Sequence, residues 1–358
     1  MKSKEVKPVI LMISTDIKGK GGVASVVSAY LEGGLQKNYN IQFLVTHTDG
    51  SALSKIYNFI FSLFILPKFL VMRRCKVFHV HSASRSSFVR KSLISWLGMI
   101  FGKKIILHLH GGEFMQYYNN ECGFFMKWYV ESTFNTVDQV VVLSSQWKSN
   151  IQKISNNKNI SVIFNPVVVD NNENVNVEKN IILFLGRVGS GKGFWDILNA
   201  LSLVKETYGN FVFKYAGDGE VEKAKKLISD YGLEHCTEYL GWVTGDEKKN
   251  VLKKSLIYLL PSYNEGLPMG VLEAMAAKVA VIASPVGGVP DVINNGVNGL
   301  LVPVGDTESL STAIIKLLSS KTLCEELTYN AYNDVVNKFS VDVIIPEIES
   351  LYQALAAS

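Results

Sequence analysis

The chain has 358 residues, 47% of them hydrophobic and 19% charged, with 9 prolines and a net charge of +4. That length exceeds what one hydrophobic core ordinarily serves, and the balance excludes a disordered or fibrous chain, so two globular domains are expected. Four widely spaced cysteines, Cys75, Cys122, Cys236 and Cys324, form no CxxC pair, which predicts neither a zinc site nor a disulfide framework and fits a reducing, cytoplasmic compartment.

The first apolar run, residues 9–13, is too short for a signal-peptide core and runs into Asp16 and Lys18, so it predicts a buried strand. Lys18-Gly19-Lys20-Gly21-Gly22-Val23 follows and opens a helix through Ala24, Val27 and Tyr30. Gly21 and Gly22 let a phosphate or sugar approach the backbone, and a plain β-to-α turn is the equal alternative because the spacing is not GxGxxG. Residues 56–72, IYNFIFSLFILPKFLVM, are interrupted by Asn58, Pro67 and Lys68 and are too short for a membrane span. Arg73, Arg74, Lys76, Arg85, Arg90, Lys91, Lys103 and Lys104 come after it. The segment therefore reads either as a seat on anionic lipid or as a buried helix beside a solvated basic face. Residues 1–164 hold 20 Lys and Arg against 8 Asp and Glu, and the remainder 16 against 24. The basic half has no interleaved aromatic platform and no reader motif, which argues against nucleic acid as its partner.

Apolar runs at 9–14, 41–46, 77–81, 104–109 and 139–143 alternate with helical stretches, the rhythm of a parallel β/α domain. His108-Leu109-His110-Gly111-Gly112 ends the fourth run; His79 and His81 in the third are expected to be buried and hydrogen-bonded. Phe164-Asn165-Pro166 and the polar stretch 170–174 predict a linker. The series then restarts at 181–186, 211–216, 237–240, 256–260 and 279–283, giving a second doubly wound α/β domain.

In this second half, residues 186–193 read GRVGSGKG. They match GxxxxGK, but Gly193 stands where a P-loop needs Ser or Thr to place a hydroxyl on magnesium. What remains is Arg187 and Lys192 in a glycine-rich loop, suited to neutralising a diphosphate; the alternative is a solvated basic turn. Residues 261–276, PSYNEGLPMGVLEAMA, follow an apolar strand. Pro268 suits the first helical position, the amides around Gly266 and Leu267 face an anion, Glu265 lies in the loop and Glu273 within the helix. GGVPD and NGLLV motifs complete the half.

Together these segments resemble the retaining nucleotide-sugar glycosyltransferases of family 4. The hallmarks are the Glu-x7-Glu pattern from Glu265 to Glu273, the GR and KG of the glycine loop, AGDG at 216–219, LGWV at 240–243 and the GGVPD and NGLLV tail. The resemblance implies the GT-B fold, two Rossmann-like, doubly wound parallel-sheet domains with an active-site cleft between them. Their bounds are 1–165 with 341–358, the acceptor domain, and 166–340, the donor domain. It implies that Glu273 accepts the donor ribose hydroxyls and that Glu265 holds hydroxyls of the transferred sugar. Asn264, Gly266, Leu267 and Pro268 would line the sugar and pyrophosphate, and Gly21 and Gly22 would approach the donor. Arg187 and Lys192 would stabilise the leaving diphosphate. Trp242 and Val243 would flank the base, core packing being the other reading of Trp242; His110, or else His108, would face the donor sugar. The family proposal is departure and attack on one face of the sugar, with no carboxylate placed as a covalent nucleophile. No metal and no cofactor beyond the nucleotide-sugar co-substrate, UDP-linked first, are expected. The acceptor is expected to be a glycan or lipid-linked glycan in surface polysaccharide biosynthesis, and the enzyme is expected in the cytoplasm, peripheral on the inner face of the membrane if residues 56–72 seat on lipid. A non-catalytic relative, another enzyme class on this scaffold and a nucleic-acid-binding protein are the rival readings.

Overall fold

The structure is a computed structural model that describes residues 7–48, 50–170 and 180–357. The predicted linker residues 171–174 lie outside the described residues. The chain divides into two compact units, Met1–Pro166 with Val341–Ser358, and Val167–Ser340.

In the first unit β1 (Val9–Thr15) leads through α1 (Gly22–Glu32), β2 (Asn40–His47), α2 (Ala52–Val71), β3 (Cys75–Ser82), α3 (Ser86–Ile100), β4 (Lys104–Leu109) and α4 (Phe124–Thr136) to β5 (Gln139–Val142) and β6 (Ile160–Val162). The second unit runs β7 (Ile181–Leu185), α5 (Phe194–Thr207), β8 (Val212–Ala216), β9 (Thr237–Tyr239), α6 (Gly245–Lys254), β10 (Ile257–Leu260), α7 (Met269–Ala276), β11 (Ala280–Ala283) and β12 (Leu300–Leu301). The last helix, α8 (Val341–Ala357), belongs to the first unit.

Both sheets are parallel, in the orders β2-β1-β3-β4-β5-β6 and β12-β11-β10-β7-β8-β9. Helices cover both faces, which is why Val140, Val141 and Val142 are consecutive yet all 0% exposed. On one face of the first sheet Leu11, Phe78, Val80 and Leu107 pack against Leu66 and Phe69 of α2, Phe88 and Ile94 of α3, and Val130 and Phe134 of α4. On the other, Tyr30 of α1 and Tyr352 of α8 cover the histidines of β3. The strand order reverses between β1 and β3 in one sheet and between β7 and β10 in the other. Ligands collect at the carboxyl ends of such switch points.

Three local differences from the sequence reading have physical causes. The apolar stretch is not interrupted: residues 56–71 lie in a helix of 20 residues with Pro67 inside it, and Met72 is its C-cap. Asn58 satisfies itself by donating to Ser54 O at 2.8 Å and Thr48 Oγ1 at 2.7 Å, and burial of Leu66 and Phe69 offsets the one helical hydrogen bond that proline forgoes. Pro268 is the N-cap of α7, with an extended ψ of 120°, one place before the first helical position. The short edge strand β6 was not among the predicted runs, whereas β12 falls where residues 294–302 read as a polar turn into an apolar edge.

Candidate active site

The loops that leave the carboxyl ends of the second sheet are tied to one another by backbone hydrogen bonds. Val188 N donates to Asp218 O at 2.7 Å, Gly217 N to Gly241 O at 2.7 Å, Tyr263 N to Gly191 O at 3.1 Å and Gly288 N to Gly266 O at 2.6 Å. This contact is possible only because glycines stand at the crossings. Gly193 has φ +67°, and a Cβ there would lie 2.0 Å from Pro261 O; at Gly287, φ +57°, it would lie 1.9 Å from Glu265 O. The glycine loop after β7 and the NEGLP loop after β10 are thus locked together at the switch point.

That lock brings two predicted residues into contact. Lys192 Nζ lies 2.6 Å from Glu265 Oε1, with the lysine side chain 34% exposed and the glutamate 8%. Glu273, one helical turn into α7, is paired with Lys248 of α6, Nζ to Oε2 at 2.5 Å. The pairing is ionic without hydrogen-bond geometry, since Oε2 is buried and has no hydrogen-bond partner. Tyr258 of β10 donates to Leu185 O at 3.3 Å. Burial, then the charges of Glu273 and Glu265, push its phenol well above the usual range, so the hydroxyl stays neutral. Ser262 and Ser284, at the ends of β10 and β11, carry buried hydroxyl oxygens with no hydrogen-bond partner. Unmet polar atoms gathered at a sheet's carboxyl edge suit a polar ligand.

The other predicted residues of this unit lie on the same edge. Arg187 is exposed in the glycine loop and Asn264 is exposed in the NEGLP loop, while Gly266, Leu267 and Pro268 are buried there. Trp242 is 38% exposed and Val243 buried in the turn after β9, the edge strand. Lys248 and Tyr258 were missed by sequence reasoning.

In the first unit Gly21 and Gly22 are exposed at the start of α1, Gly21 with φ +119°, and a Cβ on either meets nothing within 4 Å. His79, His81 and His108 are 0% exposed, whereas His110 lies just past β4 and is partly exposed. The four form hydrogen-bonded pairs: His79 Nε2 with His108 Nδ1 at 3.1 Å and His81 Nδ1 with His110 Nε2 at 2.9 Å; His79 Nδ1 also meets Tyr352 Oη at 2.6 Å. Burial above all pulls His79 and His110 down to about 3, and His81 and His108 well below the usual range, so all four are neutral near pH 7. Among the described residues His79, His81 and His108 form the one group with metal-ligand atoms close together, within 4.8 Å. Both nitrogens of His79 are already engaged, so an ion there would have to displace Tyr352 or His108.

Of the basic residues between residues 73 and 104, two are buried and two are already paired. Lys91 is buried, donates to Ser87 Oγ at 3.2 Å and is pushed down to about 7 by burial. Lys103 is buried and donates to the carbonyls of Met72 and Cys75, both at 2.9 Å. Lys104 pairs with Asp138 at 3.2 Å, and Arg85, at φ +56°, pairs with Glu113 and Glu121.

Residues 169–334 match the model of glycosyl transferases group 1, and residues 21–171 that of glycosyltransferase family 4. A glycosyltransferase of Methanocaldococcus jannaschii is 27% identical over 76% of this chain and 74% of its own length. The UDP-Gal:alpha-D-GlcNAc-diphosphoundecaprenol alpha-1,3-galactosyltransferase of Escherichia coli is 31% identical over 39% of this chain and 36% of its own. The structure of Anabaena HepE in complex with UDP and glucose superposes with a TM-score of 0.78 at 15% identity, covering 97% of this chain and 100% of that one. Matched by two family models that run end to end from residue 21 to residue 334, and built of two parallel six-stranded sheets like its structural neighbours, the chain belongs to the group 1, family 4 glycosyltransferases and has the GT-B fold.

Proposed function

We propose that this chain is a metal-independent, retaining glycosyltransferase. It moves a hexosyl group from a UDP-sugar to a glycan or lipid-linked glycan during polysaccharide assembly on the cytoplasmic side. The observation that carries the reading is the contact of Lys192 with Glu265 at 2.6 Å, made between two glycine-dependent loops at the β7/β10 switch point. A cation beside a buried carboxylate at the carboxyl edge of a parallel sheet suits a diphosphate on one side and sugar hydroxyls on the other. The UDP in the HepE structure and the UDP-Gal and diphosphoundecaprenol in the name of the E. coli relative support the donor and acceptor classes.

In the reaction the anomeric C–O bond breaks and its electron pair goes to the β-phosphate oxygen. Arg187 and Lys192 stabilise that growing charge, a role in which fixed cations substitute for a metal. The acceptor hydroxyl attacks the same face and gives its proton to the departing phosphate oxygen. Glu273, held by Lys248 at 2.5 Å, takes the ribose hydroxyls; Glu265 takes those of the sugar. His110, neutral near pH 7, serves as a hydrogen-bonding group for a sugar hydroxyl rather than as an acid. Gly21, Gly22, Trp242 and Val243 complete the donor contacts.

Thermal-shift screening against a nucleotide panel, with and without EDTA, tests this. Stabilisation by UDP that persists in EDTA and disappears in Glu273→Ala is expected. Stabilisation that needs a divalent ion, or by no nucleoside diphosphate, would defeat the proposal.

A further inference from the structure

From residue 50 to residue 112 the chain has 10 Lys and Arg and no Asp or Glu. This stretch contains α2 and α3, which share a layer with α4: Trp96 Nε1 of α3 donates to Thr133 Oγ1 of α4 at 3.1 Å, and all three helices pack on one face of the first sheet. Each inner side is apolar, as a core requires. Much of the outer side of α2 and the start of α4 is apolar too.

On α2, Leu53, Tyr57 and Phe64 recur at helical spacing on the solvent side, with Phe64 79% exposed. At the carboxyl end of the layer, α4 begins with Phe124 and Phe125, 80% and 83% exposed, followed one turn later by exposed Trp128. At the amino end, exposed Val71, Ile100 and Phe101 stand with Lys68, Arg73 and Arg74, all three exposed. Soluble proteins rarely leave this much apolar surface on one layer unless it is a contact surface.

We propose that this layer docks on an anionic bilayer. Aromatic side chains at the start of α4 suit the headgroup level, and exposed Lys68, Arg73 and Arg74 supply the complementary charge. A second copy of the chain fits less well, since an isologous contact would set the acid-free segment against itself. The helix α2 is long and apolar enough to span, but only by length and composition. Its Ser62, Leu66 and Phe69 are buried in the core, so it lies on the membrane rather than crossing it. The inference stands apart from the donor chemistry, because none of these residues is in the candidate active site.

Sedimentation of the full chain with vesicles of phosphatidylcholine, and with vesicles containing a third phosphatidylglycerol, tests it. Binding to the anionic vesicles that weakens with salt and is weak on the neutral ones is expected. Replacing both arginines, Arg73→Gln with Arg74→Gln, should weaken it roughly thirtyfold, at about 1 kcal/mol per charge. Phe124→Ser, Phe125→Ser and Trp128→Ser together should weaken it on the order of tenfold. Unchanged melting curves and UDP-induced shifts would establish that the variants fold. Equal binding to both vesicle types, binding indifferent to these variants, or a concentration-dependent dimer that the aromatic variant abolishes would each overturn the proposal.

Discussion

Replacing Lys192 by methionine removes the cation from a carboxylate that is only 8% exposed, while replacing Glu265 by glutamine leaves a lysine side chain that is 34% exposed. The two halves of one ion pair therefore differ in cost. Two unit charges at contact in a protein-surface dielectric attract by about 4 kcal/mol, and desolvation and the open side of the lysine cancel part of that. Lys192→Met should lose about 2 kcal/mol, or roughly 4–8 °C in the melting of its unit, because the stranded carboxylate must be hydrated or protonated. Glu265→Gln should lose less than about 1 kcal/mol, since its lysine turns to water. In turnover, followed as UDP released from a UDP-sugar with acceptor, Lys192→Met should lower kcat by roughly 100- to 1,000-fold, the effect of one missing transition-state contact. A Glu265→Gln variant less stable than Lys192→Met, or a Lys192→Met variant with normal kcat, would refute the reasoning.

Gly193→Ala should destabilise by more than about 2 kcal/mol in urea unfolding, because φ is +67° and the new Cβ falls 2.0 Å from Pro261 O. By contrast Gly22→Ala has nothing within 4 Å and should leave the melting curve unchanged while raising the donor KM; a drop in stability would contradict this. Stability of the first unit should fall as pH drops below about 6.5. The folded-state pKa values of His79 and His110 are near 3, below the unfolded value, so their contribution is complete above the unfolded pKa and is lost as the pH falls toward 3. Each such histidine costs up to about 1.4 kcal/mol per pH unit in that window. A urea midpoint that is flat from pH 7.5 to 5 would rule this out.

The fold was legible because strands buried on both faces need continuous apolar runs, and runs such as Lys104–Leu109 survive in the structure without change. The edge strand Ile160–Val162 was not, since an edge position asks for little apolar sequence and polar neighbours dilute the signal. Lys192 and Glu265 were legible from glycine-rich loops after strands. Lys248 was not, being one of four lysines in α6 with nothing but packing to distinguish it. Tyr258 sat unseen inside an apolar run for the same reason. Charge counting overstated the basic face, since Lys91 and Lys103 are buried, and it said nothing of the exposed aromatics at the start of α4. Which of His108 and His110 is accessible was left open even with the end of β4 read correctly at Leu109, since it took the packing to show that His108 is buried and His110 partly exposed.

Calorimetric titration of UDP in EDTA, comparing the native chain with Lys192→Met, addresses the leaving-group site most directly. Native binding undiminished by the chelator, with affinity reduced at least tenfold in the variant, is the predicted result. Equal affinity in the two proteins would contradict the account, because the diphosphate would then be held by something other than the cation at the β7/β10 switch point.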